Sequence, residues 1–180
     1  MELWDIYDAD RQKTGAIAKR GEPLGEGEHH ITVHICIFSP DGRMLVQRRA
    51  LDKKGWSGYW DITAAGSVQM GESSAEGAHR ELLEEMGIDY DFTGVRPHFT
   101  MNYNHGFADW YLLEANIPLE AVKFADGEVC DAKYLTREEV LELLGEGKFI
   151  PYFETFLSSV FDMRQSRSTY GLHNINPDAK

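Results

Sequence analysis

Residues 66–88 read GSVQMGESSAEGAHRELLEEMGI, and the second half of this stretch decides the fold. Glu81, Glu84 and Glu85 fall within five positions. Stepping about 100° per residue places them in one arc about 100° wide, with Ala75, Leu82, Leu83 and Met86 on the opposite side. One face suits a core and the other suits something positive. Ser73 with Glu76 forms a capping box, and Gly87 is a natural C′ residue, so a helix is predicted from about Ser74 to Met86. Gly77 shares the carboxylate face, where a missing side chain leaves room for a substrate. His79 falls in the apolar arc as a partly buried packing residue. Like charges at i,i+4 cost only roughly 0.2–0.5 kcal/mol per pair, so residues 80–87 alone also allow a solvated acidic face.

Working outward, ITVHICIF at 31–38 alternates, with Ile31, Val33, Ile35 and Ile37 on one face and Thr32, His34, Cys36 and Phe38 on the other. SPDGR supplies a turn before MLVQRR, so the two runs form a hairpin. Two short strands are predicted at 2–8 and 15–19, a loop at KRGEPLGEGE, and a short strand in DITAAGSV. Further strands are expected near 92–101, 108–115 and 128–135. Thr136 with Glu139 caps a second helix that stops at Gly145, and Pro151 opens a third. Strands and helices mix without regular βαβ alternation, which implies an α/β (α+β) fold with a mixed sheet and helices on its faces.

The 180 residues suit one domain, and the 42% hydrophobic content is ordinary for a globular chain. We divide it into an N-terminal β-hairpin extension at 1–28, the main part of the same domain at 29–165, and a polar C-terminal tail at 166–180. The net charge of −12 argues against nucleic-acid polymers and anionic membranes as partners. No apolar run is long enough to span a bilayer, and MELWDIYDAD does not read as a signal peptide. Cys36 and Cys130 lack metal-ligand spacing, which points to reduced thiols in a cytoplasm.

Position by position, residues 66–88 give Gly66, five residues, Glu72, seven residues, Arg80-Glu81, Leu82, any residue, Glu84-Glu85, any residue, Gly87 and Ile88. This resembles the Nudix box of the Nudix hydrolases, with every specified position filled. The resemblance implies a Nudix-type α/β/α sandwich with a mixed β-sheet. It also implies that Glu81, Glu84 and Glu85 ligate Mg²⁺ (or Mn²⁺), with a backbone carbonyl near Gly66 possible as a further ligand. Carboxylate oxygens suit such hard cations, which also bind substrate phosphates. The reaction implied is cleavage of a phosphoanhydride by metal-activated water. Arg80 enters the catalytic set chiefly by pairing with Glu72 and holding loop against helix.

For the general base, Glu84, Glu128 in DGEVCDAKYL and Asp109 in GFADWYLLE are candidates, ranked in that order. Arg48, Arg49, Lys53 and Lys54 cluster in QRRALDKKGW and are candidate substrate-binding cations, although a solvated hairpin end reads equally well. Trp56, Tyr59 and Trp60 follow, as stacking platforms or as core aromatics.

LVQRRALDKKGWSGYWDITAAG at 45–66 also resembles isopentenyl-diphosphate isomerases, and that likeness runs from about residue 29 to 160. His30 matches one of their metal histidines by position. However, Ala65 stands where they carry the catalytic cysteine, and Ser67 where they carry a metal histidine. The expected function is therefore a metal-dependent pyrophosphohydrolase. Its substrate would be a small molecule, either a nucleoside diphosphate linked to another moiety or a related diphosphate. The isomerase and a non-catalytic Nudix binding module are the alternatives, and a homodimer stays open.

Overall fold

The computed structural model describes residues 2–124 and 127–166. Most of the expected 166–180 tail lies outside the described residues. The order of elements is β1 (Leu3–Tyr7), β2 (Lys13–Lys19), β3 (His30–Phe38), β4 (Met44–Arg49), β5 (Trp60–Asp61), β6 (Ala64–Ser67), α1 (Ser74–Met86), β7 (Phe99–Tyr103), β8 (Gly106–Glu114), β9 (Val129–Leu135), α2 (Arg137–Gly145) and α3 (Glu154–Met163).

β3 organises the sheet. Its first half pairs antiparallel with β6 and its end with β4, while β8 runs parallel along the other edge from His30↔Gly106 to Phe38↔Glu114. β5 and β9 pair with β4, and β7 pairs with β8. The sheet is mixed, as expected. Period-2 alternation splits β3 between two cores. Ile31, Val33, Ile35 and Ile37 pack with Ala78, Leu82 and Met86 of α1. Cys36 and Phe38 pack with Val140 of α2 and Leu157, Val160 and Phe161 of α3. Helices therefore cover both faces in an α/β/α arrangement.

Both capping boxes form, at Ser73/Glu76 and Thr136/Glu139. Gly87 takes φ 66° at the end of α1, a left-handed conformation that glycine adopts without steric cost. Three local readings need correction. Residues 92–98 are not strand, because the chain turns at Thr93–Gly94 and β7 begins at Phe99. Pro151 does not open α3, which is preceded by Phe153 as its cap and starts at Glu154. Leu83 is 41% exposed rather than core, since it sits at the margin of the apolar arc that Leu82 and Met86 centre.

β1 and β2 form a separate two-stranded sheet. It is fixed to the rest of the molecule by a bridge between Tyr7 and His29, and by Met70 N–H donating to Leu3 O at 2.8 Å.

Candidate active site

The site is built where β6 feeds into α1. Gly66 permits it: a Cβ there would lie 2.1 Å from the Glu81 carboxyl carbon, so only glycine leaves Glu81 its place against the strand. Glu81 and Glu85 are not on a solvated face. Their side chains are 12% and 3% exposed, against 51% for Glu84.

Arg80 gathers the first two glutamates. It bonds Glu81 Oε1 at 2.8 Å and Glu84 Oε2 at 3.1 Å. Its other nitrogens reach Glu72 at 2.7 and 3.0 Å and the Ser67 carbonyl at 2.9 Å, so the expected Glu72–Arg80 clamp of loop on helix is present. Burial pulls the Arg80 guanidinium down, and its bonds to Glu72 and Glu81 more than offset this.

Glu85 turns elsewhere. Its Oε2 accepts from Gln47 Nε2 at 2.8 Å and from Ala65 N at 3.1 Å. Lys53 Nζ stands 3.6 Å from its Oε1 and also pairs with Glu128. Burial pushes the Glu85 carboxyl up to about 7, partly opposed by Lys53 and Gln47. Burial likewise raises Glu81, against the pull of Arg80.

Among the described residues, no group of three or more His, Cys, Asp or Glu side chains is arranged to hold a metal ion. Glu81 and Glu84 face Arg80, and Glu85 faces Gln47 and Lys53. The donors nonetheless fit a hard divalent cation. They are all carboxylate oxygens from successive turns of one helix, they are partly desolvated, and Gly66 makes the cradle for one of them. Gln47 Oε1 is buried beside them without a hydrogen-bond partner, which a bound cation or its water could satisfy.

The basic cluster divides. Alternation along β4 sends Gln47 toward Glu85, so Arg48 turns the other way, 6.0 Å from the Trp60 ring. Arg48 donates to Gly58 O at 3.0 Å and Arg49 to Gly55 O at 3.3 Å, so both brace the loop between β4 and β5. Lys53 reaches the carboxylates, and Lys54 is exposed. Trp60 is core, whereas Trp56 is 49% exposed and packs edge-on to Tyr59.

Other expected roles change. Gly77 does not leave room for substrate, because a Cβ there would meet Val68 Cγ2 at 2.9 Å, so it serves close packing of α1 on the box loop. His79 is half-buried, but it bonds Asp89 at 2.9 Å instead of packing in the core. Asp109, the third-ranked base, is fully buried. Arg11, Ser74 Oγ and Thr100 Oγ1 all donate to its carboxylate, so it ties the N-terminal hairpin and α1 to β8. His30 stacks on Trp4 at 4.3 Å and meets Tyr103 OH at 2.9 Å. Gln47 was missed by sequence reasoning. Its signal was a polar residue in phase with the core residue Leu45.

The NUDIX domain model matches residues 28–154. The chain belongs to the Nudix hydrolases. It is 40% identical over 170 residues to an uncharacterized Nudix hydrolase of Listeria monocytogenes, covering 94% of this chain and 99% of that one. An isopentenyl-diphosphate Delta-isomerase of Salmonella heidelberg is 32% identical over 96 residues, covering 53% of each. The fold matches a crystal structure of a Deinococcus radiodurans protein with a TM-score of 0.71 at 19% identity, covering 88% of this chain and 99% of the other. The expected Nudix identity and α/β/α fold are both borne out, and the relatives support an enzyme of the Nudix pyrophosphohydrolase type. Nudix hydrolases act on small-molecule diphosphates and generally use divalent metals. Among the described residues, no helix of this Nudix hydrolase is long and apolar enough to cross a membrane.

Proposed function

We propose that this Nudix hydrolase cleaves a phosphoanhydride bond in a nucleoside diphosphate linked to another moiety, or in a related diphosphate, with Mg²⁺ or Mn²⁺ held by Glu81, Glu84 and Glu85. The observation that carries this reading is the buried pair of box carboxylates: Glu85, 3% exposed and accepting from Ala65 N, and Glu81, 12% exposed and seated against Gly66. Keeping ionised carboxylates desolvated is costly unless a cation compensates. When bound, the cation supplies charge neutralisation and polarises a phosphoryl oxygen.

The chain's own groups then divide the work. Arg80 keeps α1 and the box loop in register through Glu72 and Ser67 O. Lys53 is placed to exchange its carboxylate partners for substrate phosphate. Glu84 takes the proton of the attacking water. It is half exposed and would leave Arg80 at 3.1 Å, whereas Glu128 would first have to leave the closer Lys53. Residues 1–28 serve as an extension of the same domain as 29–165. The free thiols Cys36 and Cys130 suit a cytoplasmic setting.

The isomerase alternative lacks its thiol at Ala65 and its histidine at Ser67. A panel of nucleoside-linked and isoprenoid diphosphates, incubated with Mg²⁺, Mn²⁺ or EDTA and analysed by mass and proton NMR, tests the proposal. The expected result is metal-dependent release of phosphorylated fragments, with isopentenyl diphosphate left unisomerised. Isomer formation above a no-enzyme control, or turnover unaffected by EDTA, contradicts it.

A further inference from the structure

The reading of the site as a diphosphate hydrolase leaves a shortage of positive charge. The chain carries a net −12, several of its carboxylates are gathered at the site, and Arg48 and Arg49 are occupied by loop carbonyls. A diphosphate brings more than one negative charge, and Lys53 is one cation. The N-terminal hairpin, residues 2–20, lies before the stretch matched by the family model, yet it is docked on the box itself. Met70 N–H donates to Leu3 O at 2.8 Å, and Gly71 N–H donates to Asp5 Oδ2 at 2.9 Å. Trp4 stacks on His30 at 4.3 Å, fixing the start of β1 over the start of β3.

This docking sets the open end of the hairpin beside the box loop, since Leu3, which accepts from Met70 N–H, adjoins Glu2. There Arg20 N–H donates to Glu2 O at 3.0 Å, and the Arg20 guanidinium pairs with the Glu2 carboxylate at 2.6 Å. Glu2 is itself held, accepting from Trp4 Nε1 at 2.9 Å. Arg20 is 59% exposed. The bond to Glu2 holds its guanidinium above the usual range, and the charges of Glu128 and Glu81 act in the same direction. Arg20 therefore feels the charge of Glu81 on α1 and of Glu128 just before β9, while its hairpin is hydrogen-bonded to the box loop.

We propose that Arg20 is a substrate-phosphate cation of this site, parked on Glu2 in the free enzyme and transferred to the diphosphate when substrate binds. A planar guanidinium suits this exchange, because it forms the same two-pronged bonds with a phosphate as with a carboxylate. Glu2 then acts as a competitor for Arg20. This inference rests on the hydrolase reading and extends it to a part of the chain outside the family match.

The two partners separate this role from a merely structural ion pair. If the pair only closes the hairpin, Arg20→Gln and Glu2→Gln weaken function alike. If Arg20 binds phosphate, the two variants act in opposite directions. Glu2→Gln keeps an oxygen for Trp4 Nε1 while removing the competing charge. The probe is inorganic pyrophosphate with Mg²⁺, titrated by calorimetry into the full chain, alongside Mn²⁺ binding alone and thermal melting. Arg20→Gln is expected to weaken pyrophosphate binding by roughly tenfold or more, Arg20→Lys to recover part of it, and Glu2→Gln to bind as tightly as wild type or tighter. Mn²⁺ binding in the absence of pyrophosphate should stay unchanged in all three. Wild-type affinity in Arg20→Gln, or equal weakening in Arg20→Gln and Glu2→Gln, overturns the proposal and leaves the hydrolase reading standing. A wild-type protein that neither binds pyrophosphate with Mg²⁺ nor hydrolyses any diphosphate removes the hydrolase reading, and the role of Arg20 falls with it.

Discussion

Glu85 carries its carboxylate where water barely reaches, and this has a measurable consequence for stability. Its folded-state pKa is raised from 4.5 to about 7. Between those values the folded protein holds a proton that the unfolded chain has released, so stability falls as pH rises through that window. In the presence of a chelator, wild type should lose on the order of 2 kcal/mol relative to Glu85→Gln between pH 5 and pH 8. Thermal melts at the two pH values check this, and an equal gap at both contradicts it. Divalent cation at pH 8 should raise the wild-type Tm and leave Glu85→Gln nearly unmoved. The proton-accepting role is also tested at this scale. Glu84→Gln is expected to lose roughly 10²–10⁴-fold in turnover, together with the acidic limb of the pH–rate profile. If Glu84→Gln keeps its turnover and Glu128→Gln loses that limb, Glu128 is the base.

At the scale of elements, local chemistry was legible in the sequence and long-range placement was not. The two capping boxes and Gly87 could be read because the atoms that bond are three or four residues apart. The alternation in β3 was also legible, because side chains two residues apart share a face. Gln47 meets Glu85 across 38 residues and Arg11 meets Asp109 across 98, and no spacing within either segment encodes such a meeting. Asp109 looked like a candidate base for this reason: a carboxylate in a strand gives no sign that an arginine from a distant hairpin will claim it. Arg48 and Arg49 misled differently, because neighbours on a strand face opposite ways and cannot both serve one site. The two box-region glycines also do other work than expected. Gly77 packs on Val68, and Gly66 is the position that makes room for a carboxylate. Gly66→Ala therefore forces the Glu81 side chain out of its place, 2.1 Å from the new Cβ. The expected outcome is loss of most activity and weakened Mn²⁺ binding with a near-native circular dichroism spectrum, since the displaced group is the far end of a flexible side chain. Full activity in Gly66→Ala would show that Glu81 has no need of this position.

Across the whole molecule, the sheet sets apart stability and chemistry. One face and α2–α3 form a core of aromatic and aliphatic side chains, and the other carries α1 with its carboxylates at the sheet margin. The N-terminal hairpin is fixed by Asp109 at its turn and by the box loop along β1. With a net charge of −12, an anionic substrate needs cations placed locally, and in the proposed site these are Lys53, Arg20 and the divalent ion. The central claim is that buried carboxylates of α1 hold a divalent cation for hydrolysis of a diphosphate. Its most direct test is turnover of the best diphosphate substrate by Glu85→Gln at saturating Mg²⁺, with folding verified by circular dichroism. The account predicts a folded protein whose turnover has dropped by roughly two orders of magnitude or more. A folded Glu85→Gln that turns over at near wild-type rate would contradict it.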